Sequence, residues 1–404
     1  MSLTINDKEI NSQIESILPE ITAIRRIIHQ NPELSGSEKE TARLVYDYLK
    51  KTGLKPSFHL NKTAVTALLN NGQGKTIVLR ADMDALPIEE QTGSAFASQK
   101  KGIMHACGHD LHTAVLLGAA SILNKAKNRW KGNIFFLFQP SEEVEPGGAY
   151  RLIKSGVFPK KADAVFGLHV STDHPYDVIG AKEGVDFTGV TTFDIIIKGK
   201  SGHGGTPEKT VDPVVCSAAI ISQLQTLVSR ETSRFIPATL TIGSLHAGNI
   251  RNIIPDQAIM QGTLRTHSKD CMNLLVKRIE NMVLLIAKSF RATAEVSFNR
   301  SYPPSYNNPE LLNQFTDEFT RLASPNSLVQ REYPSMYAED FSYYQELVPG
   351  IFVHLGVNDE KKRSAIYGIH SSKFNPDERA IKTGIAAHFA FALKILSPPL
   401  GSPR

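Results

Sequence analysis

Three short apolar runs constrain this chain more than anything else in it: Thr76–Leu79, Asn133–Phe138 and Ala164–Leu168. They are rich in Ile, Val and Phe and are bounded by Gly, Asp and Pro, so they read as strands buried on both faces. Helical patterns occupy about 113–126, before the second run, and about 147–156, between the second and third. That alternation predicts an α/β fold, a mostly parallel sheet flanked by helices. Upstream, Ile10, Ile14, Ile17, Ile21, Ile24 and Ile28 recur at helical spacing and Pro32 closes the helix. Ser37 with Glu40 three residues later predicts a capping box opening a second helix that runs to about Lys51.

The pattern changes near residue 186. Phe193–Ile197, Ala238–Ser244 and Ala258–Arg265 read as strands. Asp212–Ser229, with Pro213 in its first turn, and 269–290 read as helices. A strand at 294–299 and helices at 309–323 and 377–396 follow. The prediction is a first domain of 1–186 and 294–404, interrupted by a smaller α+β domain at 187–293. A chain of 404 residues is long for one core, which agrees with two domains.

Composition excludes several function classes. A net charge of +5 with no Lys/Arg block argues against nucleic acid as a partner. The most apolar stretch, Ala114 to Leu123, is too short to cross a bilayer, so no membrane partner is expected. The first thirty residues lack a secretory pattern. Cys107, Cys216 and Cys271 are too few and scattered for a disulfide framework. A reducing, cytoplasmic setting is the expectation.

The predicted strands share one property at their C-terminal ends. "LRADMDALP" follows the first, "FQPSEE" the second, and "GLHV" ends the third. Ligands of open α/β sheets bind at that edge, so acidic and His side chains from three strands converge there. "MHACGHDLHT" adds three histidines, a cysteine and an aspartate at 104–113. Alone, that segment fits a buried structural cluster, a structural zinc site or a Cys/His dyad. No Cys-x-x-Cys pair accompanies it, and a dyad leaves the carboxylates unexplained. Glu142 and Glu143 leave a buried strand as neighbours, so they are expected on opposite sides: one on a metal, the other reaching a water. His169 ends a strand, and His370 lies in a loop before the last helix. Cys107, His109, Glu143, His169 and His370 form a five-ligand set of mixed softness, suited to two metals.

Ten ordered stretches then identify a resemblance. They include "RRIIHQNPELSGSEKETARLVYDYLKKTGL", "LRADMDALPIEEQTGSAFAS", "MHACGHDLHTAVLLGAA", "FQPSEE", "FGLHV", "GKSGHGGTPEKTVDPVV", "NIIPDQAIMQGTLRT" and "YGIHSSKF", and the set spans residues 25 to 374. The chain resembles the amidohydrolase branch of the dinuclear metallopeptidase family M20, whose members include hippurate hydrolase, N-acyl-L-amino acid amidohydrolase and the auxin-conjugate hydrolases. The resemblance implies a zinc-exopeptidase type, phosphorylase/hydrolase-like catalytic fold with a ferredoxin-like lid and dimerisation domain. It implies a hydrolase that cleaves the amide bond of N-acyl amino acids, or a metallo-exopeptidase using the same site.

By the same resemblance, Cys107 bridges two divalent ions (zinc, manganese, nickel or cobalt), with His109, Glu143, His169 and His370 as the other ligands. Glu142 matches the general base, and Asp84 orients a ligand imidazole, a place a strand-end cap would equally explain. His203, in "SGHGG", matches a donor to the oxyanion in a neighbouring subunit. Asn252 and Arg265 match residues that hold the substrate. A homodimer through the lid is implied. One departure is Pro207-Glu208, where family members commonly carry a second His.

Overall fold

The computed structural model describes residues 3–359 and 367–396, so the expected first domain is seen without 360–366 and 397–404. The chain divides into two compact units: 3–184 with 306–333 and 343–396, and 185–305 with 334–342.

In the first unit the order is α1 (Lys8–Gln30), α2 (Lys39–Lys51), β1 (Pro56–His59), β2 (Ala64–Asn71), β3 (Thr76–Asp82), α3 (His109–Lys125), β4 (Gly132–Gln139), α4 (Gly148–Lys154), β5 (Ala164–Pro175) and β6 (Ile179–Ala181). After the second unit come α7 (Pro309–Leu322), β15 (Leu328–Gln330), β16 (Gly350–Asn358) and α9 (Ala380–Leu396). The eight-stranded sheet runs β1-β2-β4-β3-β5-β16-β6-β15. Its centre, β4, β3, β5 and β16, is parallel, and the flanks contribute the antiparallel pairs.

The three predicted strands are β3, β4 and β5. The sheet also contains β2 and β16, which the apolar-run reading passes over. β16, Gly350–Asn358, is the immediate neighbour of β5, with His354 beside His169 in register. β5 itself continues to Pro175, so His169 lies inside the strand and not at its end.

Helices α3 and α9 are apolar nearly all round, which fits burial on every side. α1 is one-sided: its six buried isoleucines pack into the core that α3 and α9 share. Each such side chain contributes about 1.5–3 kcal/mol of burial. The capping box at Ser37 does not form. Glu38 stands at the N-cap with no side-chain bond to the helix, and Glu33 does the capping, accepting from the Thr41 N–H at 2.8 Å and the Glu40 N–H at 3.2 Å. Glu33 is buried and Ser37 is exposed, so the carboxylate wins those donors.

The second unit holds β8 (Gly189–Lys198), β9 (Gly202–His203), α5 (Pro213–Thr226), β10 (Ala238–Ala247), β11 (Ile253–Ile254), β12 (Gln257–Thr266), α6 (Lys269–Ser289) and β13 (Thr293–Tyr302). Its antiparallel sheet runs β10-β12-β8-β13, with α5 and α6 closing the core. The expected boundary at 293 is corrected here. β13 pairs with β8 along nearly its whole length, so the strand expected to rejoin the first domain completes this sheet. The remaining short elements are β7 (Gly184–Val185), which pairs with β14 (Tyr306–Asn307), and α8 (Ser342–Gln345). Among the described residues no helix is long and apolar enough to cross a membrane.

Candidate metal centre

The sheet's C-terminal edge carries the site. β3 ends in Asp82 and is followed by Asp84; β4 ends at Gln139 and leads into Ser141, Glu142 and Glu143; β5 carries His169. The segment before α3 supplies Cys107 and His109. These two do not share an extended loop. Gly108 is left-handed at φ 86° and His109 is already the first residue of α3. A Cβ at Gly108 would lie 2.6 Å from Val170, so this turn against β5 requires glycine.

Each histidine's tautomer can be read from its neighbours. His109 Nδ1 donates to Asp84 Oδ1 at 3.2 Å, which leaves Nε2 turned inward. His169 Nδ1 donates to the Val170 carbonyl at 2.8 Å, and its Nε2 faces Cys107 Sγ at 3.3 Å. His370 Nε2 lies 3.4 Å from Glu143 Oε1, and His109 Nε2 lies 3.8 Å from that same oxygen. His370 is held left-handed, φ 64°, with its N–H donating to the Ala106 carbonyl at 2.8 Å. The structure thus brings all five expected ligands into two overlapping groups, Cys107–His109–His169 and Cys107–Glu143–His370.

His109 Nε2 and Glu143 Oε1 are both buried and have no hydrogen-bond partner among the described residues. Orphaned polar atoms of that kind are rare in a folded interior and mark a missing partner. A metal ion fits that place, since an imidazole nitrogen and a carboxylate oxygen meet there within a cluster of further potential ligands. Burial alone would lower the His109 pKa, yet Asp82, Asp84 and Glu143 carry it up to about 10. Burial, then the charges of Glu143 and Glu142, hold the Cys107 thiol well above its ordinary value. An activated nucleophilic thiol needs the opposite surroundings. A soft thiolate, three imidazoles and a carboxylate suit divalent transition metals.

Glu142 and Glu143 do not diverge as expected. Both carboxylates reach His109, because the chain has left the strand and Ser141 turns left-handed at φ 56°. Strand alternation therefore does not apply to them. Asp84 anchors the turn as well as His109: its Oδ2 accepts the Glu143 N–H at 3.0 Å and the Ser35 hydroxyl at 2.6 Å.

Sequence reasoning missed a layer behind the ligands. His112 Nε2 accepts the Val170 N–H at 2.9 Å, so its Nδ1 carries the proton donated to Asp82 Oδ1 at 2.6 Å. With both nitrogens engaged, His112 holds the strand that carries His169. Arg80 Nη1 donates to Asp82 Oδ2 at 2.7 Å and its Nε to Gln139 at 2.9 Å, tying β3 to β4. Asp110 pairs with Arg25 and His29, each at 2.7 Å, and fastens α1 to the first turn of α3. The signal available was an Arg-x-Asp pair ending an apolar strand, since a charge there must be paired.

His203, Asn252 and Arg265 all lie in the second unit. β9 and β11 form a two-residue ribbon in which the Gly204 N–H donates to the Asn252 carbonyl at 2.8 Å. His203 is exposed and its Nδ1 accepts the Gly205 N–H at 3.0 Å. Arg265 Nη1 donates to the Met336 carbonyl at 3.2 Å.

The chain is similar throughout its length to known proteins. Peptidase family M20/M25/M40 matches residues 78–394. Thermostable carboxypeptidase 2 of Saccharolobus solfataricus is 39% identical over 391 residues, 96% of this chain and 98% of the relative. N-acetylcysteine deacetylase of Bacillus subtilis is 38% identical over 372 residues, 91% of this chain and 94% of the relative. A solved Bacillus subtilis protein, described as a dinuclear metal binding peptidase from the M20 family, superposes with a TM-score of 0.82 at 34% identity, covering 95% of this chain and 99% of that one. The expected family and fold class hold, and this chain is a hydrolytic enzyme belonging to peptidase family M20/M25/M40.

Proposed function

We propose that the enzyme hydrolyses the amide bond of N-acyl amino acids, releasing a carboxylic acid and a free amino acid. Two divalent ions would be held by Cys107, His109, Glu143, His169 and His370, with Cys107 shared. The observation that carries this reading is the facing pair of orphaned buried atoms, His109 Nε2 and Glu143 Oε1, ringed by the other three side chains. Ions there supply Lewis acidity, polarising the scissile carbonyl and lowering the pKa of water towards about 7.

Glu142 is the base in this reading. It takes a proton from the attacking water as the C–O bond forms, and returns it to the nitrogen as the C–N bond breaks. The Asp84 hydrogen bonds keep the His109 ring and the Glu143 backbone in place while the proton moves. His203 is assigned to the oxyanion, from a second copy in a homodimer, and Asn252 and Arg265 to the substrate carboxylate or carbonyl. Arg is suited to that task by its two-pronged geometry.

A second reading, a metallo-exopeptidase, is favoured by the similarity to two thermostable carboxypeptidases, at 39% and 40% identity. The deacetylase relatives favour the first. Metal content per chain, measured with hydrolysis of N-acetyl and N-benzoyl amino acids and of dipeptides before and after chelation, separates them. The proposal expects two ions, activity lost on chelation and restored by zinc or manganese, and faster turnover of acyl amino acids than of peptides. Glu142→Gln is expected to keep its ions and lose turnover. Activity indifferent to chelation would return the reading to a Cys107 thiol.

A further inference from the structure

The turn that presents Glu142 is gripped at both ends by carboxylates. On one side Asp84 Oδ2 accepts the Glu143 N–H at 3.0 Å. On the other, Glu38 Oε1 accepts the Ser141 N–H at 2.8 Å, with the Ser141 hydroxyl at 3.4 Å. The same Glu38 oxygen accepts the Gly36 N–H at 2.8 Å, while neighbouring Ser35 donates its hydroxyl to Asp84. One short segment, 35–38, therefore joins both grips. Glu38 is fully buried, and its second oxygen, Oε2, has no hydrogen-bond partner among the described residues.

Such a grip is needed. Ser141 is held at φ 56°, a conformation that a non-glycine residue adopts at a cost. A strained backbone persists only where its surroundings over-determine it. On the far side, the Ser141 carbonyl accepts the Gly148 N–H at 2.8 Å, so both backbone polar groups of Ser141 are engaged. A buried carboxylate that accepts from two backbone N–H groups elsewhere and from none of the helix it precedes is poorly explained as a helix cap.

We propose that Glu38 is a positioning residue for the hydrolytic step: by holding the Ser141 N–H it fixes the left-handed turn that aims Glu142, while Asp84 holds the Glu143 N–H. This rests on Glu142 being the base. The division of labour makes a specific claim, that loosening the Glu38 grip harms the chemical step and spares metal binding.

The test compares Glu38→Gln, which keeps an acceptor of the same reach, with Glu38→Met, which keeps the volume and removes the acceptor. Both are assayed as full-length enzyme loaded with zinc, using an N-acetyl amino acid. Glu38→Gln is expected within about threefold of wild-type kcat. Glu38→Met is expected to lose tenfold or more in kcat, with KM within about twofold and two zinc ions per chain retained. A loss of roughly that size is what a misplaced catalytic group costs. Equal kcat in the two variants would overturn the proposal, as would a loss that saturating zinc restores. If Glu38→Met does not fold, Glu38→Asp, one methylene short of the Ser141 N–H, takes its place with the same expectations. Glu142→Gln run in parallel separates the two levels. Full turnover there removes the base itself, whereas a dead Glu142→Gln beside equal Glu38 variants removes only the grip.

Discussion

The buried carboxyl of Glu38 should give the protein's stability a contribution that falls as pH rises from acid to neutral, and Glu38→Gln removes that contribution. Burial, then the nearby charge of Asp84, raises the Glu38 pKa from 4.5 to about 7. Between those values the folded chain keeps a proton that the unfolded chain has released. Stability then declines with rising pH, because the native state binds more protons. A displacement from 4.5 to about 7 corresponds to about 3 kcal/mol, at 1.36 kcal/mol per pH unit. Glutamine cannot titrate, so its variant escapes that loss and carries only a constant offset. Urea unfolding of metal-free wild type and Glu38→Gln at several pH values between 4 and 8 reads the effect. The difference in unfolding free energy should move by about 3 kcal/mol in favour of Glu38→Gln across the window, and flatten above it. Parallel stability curves would refute the reasoning, since they would mean that Glu38 ionises alike in the folded and unfolded chains.

Asp110→Asn removes the carboxylate that Arg25 and His29 share in a fully buried site, leaving Arg25 with Glu378 and His29 with Glu90. It should cost about 3–5 kcal/mol in chemical denaturation, the usual penalty for breaking a buried ion pair. Gly148→Ala places a Cβ 1.7 Å from the Pro140 carbonyl oxygen, so the loop from 140 to 148 must shift. The expected outcome is an overpacking penalty of about 1–3 kcal/mol, with kcat falling beside it as Glu142 is displaced. His203→Ala should lower kcat about a hundredfold, as removal of one oxyanion donor does, with the metal content unchanged. Metal analysis and steady-state kinetics on one preparation check both halves of that statement.

The sheet's centre was legible because β3, β4 and β5 are apolar runs whose ends carry chemistry. The clustering of the five proposed ligand residues was legible for the same reason, helped by the ordered family stretches. β16 was equally legible, since "GIFVHLGVN" is as apolar as β5, carries His354 and is followed in the sequence by Asp359 and Glu360. The capping box misled because Glu33, seven residues before Glu40, reaches the helix start only through the fold. The convergence of Glu142 and Glu143 was hidden in one backbone angle at Ser141, and residue type does not announce a left-handed serine. Arg80, His112 and Glu38 act through groups far away in the chain, so no local pattern exposes them.

The position of β16 has a consequence for the chain's life before it is complete. Cys107, His109 and Glu143 are synthesised early, but His370 follows β16, a central strand that must slot in beside β5. A ribosome-bound or truncated chain that stops short of β16 therefore lacks both a central strand and the last of the five proposed ligands. On the ligand set proposed above, such a chain could not complete the metal centre, so hydrolysis would wait until synthesis has passed residue 370.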